Sequence, residues 1–354
     1  MRSKNAFALC FCCMIFFSAT ACNTASSEDN SDSDAFDFKR QSSSTSTIIS
    51  SASNGSLSQS KLKISEPFIG VNMVTNKAGY AITKSLHILK TEDGWTDCTD
   101  LLALPNPPKN AGAPVLFLLD DKTVYTAAFT KFGISVEKSI DAGTNWSVST
   151  IELRTDNAGS GYGRNLHMSF VNASEGFLLT SGQPAAGIMK KILYQTSDGG
   201  ENWHPMDSKF ELDGYTTGMT FFDSNTGLIT CTYHGRNDIP IYRSTDGGRR
   251  WAVVSVPIPQ KFSSSAERDY YADAYQPAIY GKGRTNAKME LFFCSGDKRE
   301  PYFYSTENEG ASWKIDGISN RFIAEYTFTD AENGFGIDDH GKLYTTQDGG
   351  LNWF

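Results

Sequence analysis

The sequence has few of the residues from which metal sites and disulfide frameworks are built. Its 354 residues include five histidines and seven cysteines. The histidines are isolated, and none has the spacing of a metal-binding motif such as H-E-x-x-H. Three cysteines lie in the first apolar run and Cys22 follows it, which leaves Cys98, Cys231 and Cys294, scattered and odd in number. We therefore expect no disulfide framework and buried, apolar cysteines, with a single Cys231–Cys294 disulfide as the alternative.

Several functional classes also lack their signatures. The sequence contains no G-x-S-x-G, no P-loop and no dinucleotide fingerprint, so we expect no cofactor. The formal net charge is −8, whereas nucleic-acid binding needs a basic stripe. No apolar stretch after residue 17 is long enough to span a membrane. We predict a monomer with no nucleic-acid partner and no metal, although the acidic turn Asp338–His340 leaves a metal site as an alternative to a solvated loop.

The N-terminus is typical of an exported protein. Two basic residues precede the apolar run Ala6–Phe17, which is too short to cross a bilayer as a stable helix. Small residues and then Cys22 follow. This resembles the lipobox of bacterial lipoproteins, in which the Cys is lipidated, although the family prefers Leu where this chain has Ala19. We expect residues 1–21 to be a signal peptide and Cys22 to carry the lipid, with plain secretion or a retained anchor as alternatives.

The composition of residues 22–60 predicts a disordered tether. They are rich in Ser, Thr, Asp and Asn and contain few large apolar side chains. Such a segment cannot bury enough surface to offset the entropy lost on ordering. We expect it to hold a domain, residues 61–354, away from the membrane. The lipid would then be the only membrane contact, on the extracytoplasmic side of a bacterial membrane.

An eight-residue motif, S/T-x-D-x-G-x-x-W, recurs along residues 61–354. Five copies are good, and Thr91–Trp95 is a degenerate, shortened sixth copy. The copies are about 40 to 60 residues apart, a spacing typical of propeller blades. The defining residues of the five copies are Asp141, Gly143, Trp146, Asp198, Gly200, Trp203, Asp246, Gly248, Trp251, Asn308, Gly310, Trp313, Asp348, Gly350 and Trp353.

The motif has the chemistry of a tight turn. An Asp or Asn side chain can accept hydrogen bonds from backbone N–H groups a few residues later. The Gly can adopt a left-handed conformation that a Cβ atom opposes, and the Trp ring can pack back on the sheet. Apolar residues precede each copy with the alternation of a strand. We therefore predict that each copy is a structural hairpin turn, not a ligand site.

A second repeated element, a Gly turn after an apolar strand, lies upstream of the motif in several units. Asn76–Tyr80 and Glu332–Phe335 are examples. Each unit then has four antiparallel strands, which is the pattern of a β-propeller blade. The spacing predicts six blades that start near residues 67, 114, 165, 215, 274 and 321. No outer strand follows Trp353, so we expect residues 61–65 to supply it and to close the ring.

The motif resembles the Asp-box, or bacterial neuraminidase repeat, of sialidases, sortilin-type receptors, photosystem II assembly factors and many bacterial lipoproteins. The resemblance covers about residues 65–354 and implies the fold, but one fold hosts many functions. Sialidases also use an arginine triad, a Tyr/Glu pair, an Asp and an Arg-Ile-Pro-like motif before the first box. Residues 61–90 contain no Arg, and the nearest similar motif, Lys298–Pro301, is in blade five.

Strand order divides the loops between two faces. The motif turns and Gly turns lie on one, the repeat-turn face, and the longer loops surround the channel on the other, the loop-rich face. Long loops with Tyr beside carboxylates and Arg can bind a sugar or a peptide. The alternative is solvated loops whose tyrosines pack on a blade. The candidate ligand-binding residues are Arg154, Tyr162, Arg164, His234, Arg236, Glu267, Arg268, Asp269, Tyr270, Tyr271 and Arg299.

The sequence thus predicts a non-catalytic surface lipoprotein. It would bind a protein or a glycan through the loop-rich face, or assist envelope assembly. The alternative is a glycoside-acting, sialidase-like hydrolase with paired carboxylates from residues 267–273 and from elsewhere near the channel mouth. Hydrolysis needs two carboxyl groups about 5–10 Å apart across a pocket, so their spacing would separate the two hypotheses.

Overall fold

A computed structural model describes residues 47–49, 64, 66–109, 111–153, 165–182, 189–208, 210, 212–233, 239–263, 270–295 and 298–354, with backbone alone for 47–49 and 298. They belong to the unit that runs from Ser42 to Phe354. Within them, no helix is long and apolar enough to cross a membrane. The signal peptide, the lipidation residue Cys22 and most of the tether lie outside these described residues.

The chain forms a six-bladed β-propeller, in which each blade is an antiparallel sheet whose strands pair in chain order from the channel to the rim. A first strand, β1 (Thr47–Ile49), precedes the blades. Blade one contains β2 (Phe68–Met73), β3 (Gly79–Thr83), β4 (His87–Thr91) and β5 (Thr99–Ala103). Blade two contains β6 (Val115–Leu118), β7 (Val124–Thr130), β8 (Gly133–Ser139) and β9 (Trp146–Glu152). Blade three contains β10 (Asn165–Phe170), β11 (Gly176–Ser181), β12 (Lys191–Thr196) and β13 (His204–Pro205).

The second half of the ring repeats this order with two irregularities. Blade four contains β14 (Tyr215–Phe221), β15 (Gly227–Thr232), β16 (Ile241–Ser244) and β17 (Ala252–Val253), and is followed by α1 (Gln260–Ser263). Blade five has a divided inner strand and contains β18 (Tyr271–Ala274), β19 (Ala278–Tyr280), β20 (Asn286–Ser295), β21 (Lys298–Thr306) and β22 (Lys314–Ile318). Blade six contains β23 (Glu325–Phe328), β24 (Gly334–Ile337) and β25 (Leu343–Thr346).

The hydrophobic core lies between neighbouring blades. The second strands are buried along almost their whole length, since each is covered on both faces. Aromatic rings link one blade to the next: Tyr125 stacks on Phe170 with centroids 3.7 Å apart, and Phe177 stacks on Phe221 at 3.6 Å. Such stacking adds to the free energy gained from burial alone. The six predicted blades and their starting positions are therefore confirmed.

The ring closes between blades six and one. Strand β23 lies against β2, and the Thr329 hydroxyl is 2.6 Å from Asn76 Oδ1. At the rim of blade six, Phe354 represents the fourth strand and exchanges two hydrogen bonds with Thr345, of 3.0 and 3.1 Å. The segment that we predicted to close this blade, residues 61–65, lies outside the described residues apart from Ile64, which is not in a strand.

Two further features concern the N-terminal segment and the cysteines. Strand β1 comes from the predicted tether and pairs antiparallel to β9, so it forms a fifth strand at the rim of blade two. Cys98, Cys231 and Cys294 are buried, which we expected of Cys231 and Cys294 from the apolar runs around them. Burial raises the pKa of Cys231 to about 12, so this thiol is unreactive at neutral pH.

The motif copies form the turns between the third and fourth strands, which we call the repeat turns. In blade two, the Ser139 hydroxyl donates to Asp141 Oδ1 (2.9 Å) and accepts the N–H of Gly143 (2.8 Å). Asp141 Oδ1 also accepts the N–H of Asn145 (2.8 Å), which lowers the pKa of the Asp141 carboxyl. The Trp146 indole N–H donates to the Gly143 carbonyl (3.0 Å). This turn therefore satisfies its own polar groups, whereas in the blade-five turn the buried Trp313 Nε1 has no partner among the described residues.

We had expected a shortened first copy, but this copy has the full length of the motif. Trp95 occupies the position of the motif Gly, with a left-handed φ of 71°, and its N–H donates to the Thr91 hydroxyl at 2.9 Å. Cys98 takes the position of the motif Trp. The Trp95 ring packs on Phe68 with centroids 5.0 Å apart. The turn keeps its full length, and its indole ring stands three residues earlier in the chain than in the other copies.

Candidate functional site

A sixfold hydrogen bond ties the repeat-turn face together. In every blade, the residue after the motif Asp or Asn donates its N–H to a carbonyl in the turn between the first two strands. Lys77 accepts from Gly94 at 2.9 Å, and Ser174 accepts from Gly199 at 2.7 Å. The equivalent acceptors in the other blades are Lys122, Asn225, Thr285 and Glu332. Both kinds of turn therefore lie on one face, and their polar backbone is already used.

Arg284 crosses the repeat-turn ends of three inner strands. It belongs to blade five, yet its Nη2 donates to the carbonyls of Phe221 (2.8 Å) and Phe170 (3.2 Å) in blades four and three. Its Nε donates to the Phe222 carbonyl at 3.0 Å. Burial lowers the pKa of this guanidinium, but three backbone acceptors stabilise its charge. This cation is therefore committed to the fold.

The loop-rich end of the channel carries polar side chains, because the first residues of the inner strands lie there. Asn165 and His167 come from β10, and Asn165 Nδ2 donates to the Thr216 carbonyl of blade four at 2.7 Å. Thr216 lies beside a β-bulge in β14. The adjacent Thr217 hydroxyl donates to the Ala274 carbonyl of blade five. Polar contacts thus join blades three, four and five at this end.

His167 is enclosed at the centre of these contacts. It hydrogen bonds with the Thr216 backbone and the Gln276 side chain, so it connects blade three with blade five. Burial lowers its pKa to about 4, against the opposing effect of these two hydrogen bonds. The imidazole is therefore neutral at pH 7. Its Nε2 atom is buried and has no partner among the described residues.

Glu325 enters the channel from blade six. It is the first residue of the inner strand β23, and its side chain is exposed although protein surrounds it. Burial raises its pKa to about 7. On the opposite face of the strand, the Tyr326 hydroxyl accepts the N–H of Glu290 at 2.8 Å. Burial also raises the pKa of Glu290, whose carboxylate accepts the N–H of Ile323 at 3.2 Å.

Most of the sequence-predicted binding residues lie outside the described part of the chain. Only Tyr270, Tyr271 and Arg299 belong to the described part of the chain, and Arg299 is exposed at the start of β21 on the loop-rich face. The candidates outside the described residues are Arg154, Tyr162, Arg164, His234, Arg236, Glu267, Arg268 and Asp269.

Tyr270, which we predicted to contribute to a ligand-binding surface, is buried in this structure. Its side chain is 6% exposed and belongs to the blade-five core. Its ring centroid lies 5.8 Å from Phe262 and 5.9 Å from Phe293. Helix α1 covers the tyrosine with Phe262, and the hydroxyl of half-buried Tyr271 is also enclosed. These two residues follow the alternative that we stated, in which the loop tyrosines pack on the blade.

Sequence reasoning missed the channel residues. His167 was set aside as isolated, and neither Gln276 nor Glu325 was selected. One available signal was a polar first residue in an inner strand, since Asn165 and Glu325 stand where blade one has Phe68. Among the described residues, no group of three His, Cys, Asp or Glu side chains could hold a metal ion.

Comparisons with known proteins found only distant similarities to solved structures. No family model matches the chain, and no curated protein matches it. The chain is similar to the solved structure of YCF48 bound to D1 peptide, with 14% identity, coverage of 79% of this chain and 77% of that chain, and a TM-score of 0.43. It is also similar to a GH74 enzyme from Niastella koreensis (12% identity, 82% and 54% coverage, TM-score 0.48). A third similar structure is TolB from Acinetobacter baumannii (12% identity, 75% and 62% coverage, TM-score 0.44).

This chain spans about half of the Niastella protein and less than two thirds of the TolB chain. Identities this low and TM-scores below 0.5 carry no argument about ligands or activity.

Proposed function

We propose that this protein is an exported, lipid-anchored binding protein that recognises a protein or a glycan through its loop-rich face. We also infer that the repeat turns are Asp-boxes and that Cys22 carries the lipid. The observation that supports the proposal is the contrast between the two faces. In the repeat turns, the hydroxyl, the Asp or Asn oxygen and the backbone N–H groups bond to one another, although Trp313 Nε1 of blade five has no partner among the described residues. The loop-rich end instead holds buried His167 Nε2 and the Glu325 carboxylate without partners among the described residues.

Two matched pairs of variants test which face binds. Phe132 and Arg299 are exposed on the loop-rich face, where Phe132 is 70% exposed in the turn between β7 and β8. Ile140 and Arg250 are exposed in repeat turns, and Ile140 is 67% exposed. We would compare Phe132→Ala/Arg299→Ala with Ile140→Ala/Arg250→Ala. Neither pair removes a core contact, so both should keep the melting temperature of the wild type.

Binding is measured by a glycan array and by affinity capture from envelope extracts. The loop-rich pair should lose glycan or protein ligands that the wild type holds, because exposed aromatic and Arg side chains dominate interface energetics. The repeat-turn pair should keep them. Loss in the repeat-turn pair alone would place the binding surface on the opposite face and reject the proposal.

A glycoside-acting hydrolase is the second candidate, and one observation favours it. Glu325 lies in the channel with a pKa raised to about 7, and a general acid needs a carboxyl group that keeps its proton near neutral pH. Release of reducing sugar from a panel of glycosides, lost in Glu325→Gln, would establish this activity. No release from any glycoside would leave binding as the function.

A further inference from the structure

The Glu325 carboxylate lies inside the ring without a partner among the described residues. Strand β24 covers the outer edge of β23, and strands β19 and β2 of the adjacent blades lie on its two sides. An exposed side chain on β23 therefore has to face the channel. No described group donates a hydrogen bond to this carboxylate, and no described cation pairs with it.

The described cations near the inner strands have other contacts. The Arg321 guanidinium lies over the Tyr344 ring, 3.9 Å from its centroid. Lys288 pairs with Asp316 at 2.8 Å, and Arg284 donates to three carbonyls. Lys191 Nζ also donates to three carbonyls, each at 3.1 Å. The Glu325 side chain is exposed to solvent in the channel, so a cation that enters the channel can reach its carboxylate. Desolvation by the surrounding protein raises the pKa of Glu325.

There is open space beside this carboxylate. The inner strands β2 and β23 run in the same direction, and the Thr327 hydroxyl reaches Asn72 Oδ1 at 3.4 Å. Two residues earlier on each strand are Glu325 and Gly70, so these lie at one level. No atom lies within 4 Å of the place where a Cβ of Gly70 would stand, and the φ of Gly70 is outside the left-handed region. The absent side chain leaves room for a ligand group.

We propose that the loop-rich end of the channel binds a primary ammonium group, which pairs with Glu325 and occupies the space beside Gly70. This rests on the proposed binding function and names the chemistry of its ligand. An ammonium has three donors and forms a strong pair with one carboxylate. A divalent metal would need several oxygen ligands, and no such group is found among the described residues. The net charge of −8 also favours a cationic ligand.

The first experiment supplies the ammonium from the chain itself. In Gly70→Lys, the new side chain can place its ammonium beside Glu325, whereas Gly70→Met fills similar space without charge. We expect a higher melting temperature for the Lys variant than for the Met variant. That difference should vanish when Glu325→Gln is added, because the double-mutant cycle isolates the pair. Equal melting temperatures, or a difference that survives Glu325→Gln, would overturn the proposal.

The second experiment measures binding to the purified full chain by NMR titration. The probe is Nα-acetyl-lysine methylamide, and Nα-acetyl-norleucine methylamide is the control without an ammonium. We expect the lysine probe alone to bind, and Glu325→Gln to weaken it by at least about tenfold, or 1.4 kcal/mol. Gly70→Met should weaken it too. Glu201→Gln, an exposed carboxylate in a repeat turn, should leave it unchanged.

The outcomes separate this inference from the proposed function. If Glu325→Gln binds the lysine probe as well as the wild type, or if the norleucine probe binds equally, the ammonium site is wrong. Loop-rich-face binding would still stand if the Phe132/Arg299 pair loses its ligands. If that pair keeps every ligand while Glu325→Gln loses the lysine probe, the ammonium site stands and the proposed face-wide binding fails.

Discussion

Adding a single Cβ atom at three glycines should separate backbone strain from steric overlap in this fold. Gly248 has a φ of +85°, and its Cβ would lie 2.6 Å from Leu193 Cδ2 and 3.3 Å from Phe221 Cζ. Gly281 has a φ of +78° but no atom within 4 Å of its Cβ position. Gly70 has neither a left-handed φ nor a near neighbour. Gly248→Ala therefore introduces both strain and overlap, Gly281→Ala introduces strain alone, and Gly70→Ala introduces neither.

The expected free energies follow from these contacts. Gly70→Ala should stabilise by about 0.4–1 kcal/mol, because Ala lowers the entropy of the unfolded chain. Gly281→Ala gains the same entropy but loses about 1–2 kcal/mol to left-handed strain, so it should destabilise by roughly 0–1.6 kcal/mol. Gly248→Ala should lose a further 1–3 kcal/mol, roughly, through overpacking against Leu193. Gly248→Val should be worse still, because a branched Cβ at positive φ is heavily strained.

Thermal and denaturant melts of the three variants provide the assay. For a domain of this size, about 1 kcal/mol corresponds to about 2–4 °C, so Gly248→Ala should melt several degrees below Gly281→Ala. Gly70→Ala should melt at or slightly above the wild type. Equal losses at Gly248 and Gly281 would show that Leu193 moves away without cost. A loss at Gly70 as large as that at Gly248 would refute the assignment of open space beside the channel.

Three further predictions follow. Cys22→Ala should move the protein from the membrane to the soluble fraction without changing its melting temperature, and a membrane-bound variant would contradict the lipid anchor. Tyr270→Ala should destabilise by about 3–5 kcal/mol, as expected for removing a buried aromatic ring, and an unchanged melt would place Tyr270 outside the core. His167 has a folded pKa of about 4, below that of the unfolded chain, so the unfolded state binds more protons between about pH 6.5 and 4. The stability that wild type has over His167→Asn should therefore fall by up to about 3 kcal/mol as the pH drops through this window, and a pH-independent difference in melts would refute the burial of His167.

The fold could be predicted because each repeat encodes its own turn. The Ser or Thr, the Asp and the Gly of a motif bond to one another within a few residues, as at Ser139, Asp141 and Gly143. Such local chemistry is visible in the sequence wherever it recurs. The altered copy that begins at Thr91 also keeps the spacing of the motif. Its full length was not recognised in the sequence because Trp95 stands at the position of the Gly.

The candidate site could not be predicted in the same way, because it depends on contacts between distant segments. His167 meets Gln276 only because blade five sends a divided inner strand towards blade three. Tyr270 is buried because Phe262 of α1 folds over it. Neither relation leaves a periodic signal. The polar first residues of the inner strands were the nearest local indication. They indicate a site only once the ring brings the inner strands together.

The two ends of the channel differ in how their charges are satisfied, and this difference favours recognition from one side. At the repeat-turn end, the Arg284 guanidinium donates to carbonyls of blades three and four. At the loop-rich end, the Glu325 carboxylate has no described partner, and open space lies beside Gly70 at the same level. A carboxylate that is accessible from the channel can pair with a cationic group of a ligand. A ligand that enters from the loop-rich face would gain this interaction, whereas one that approaches the repeat turns would meet hydrogen bonds that are already made.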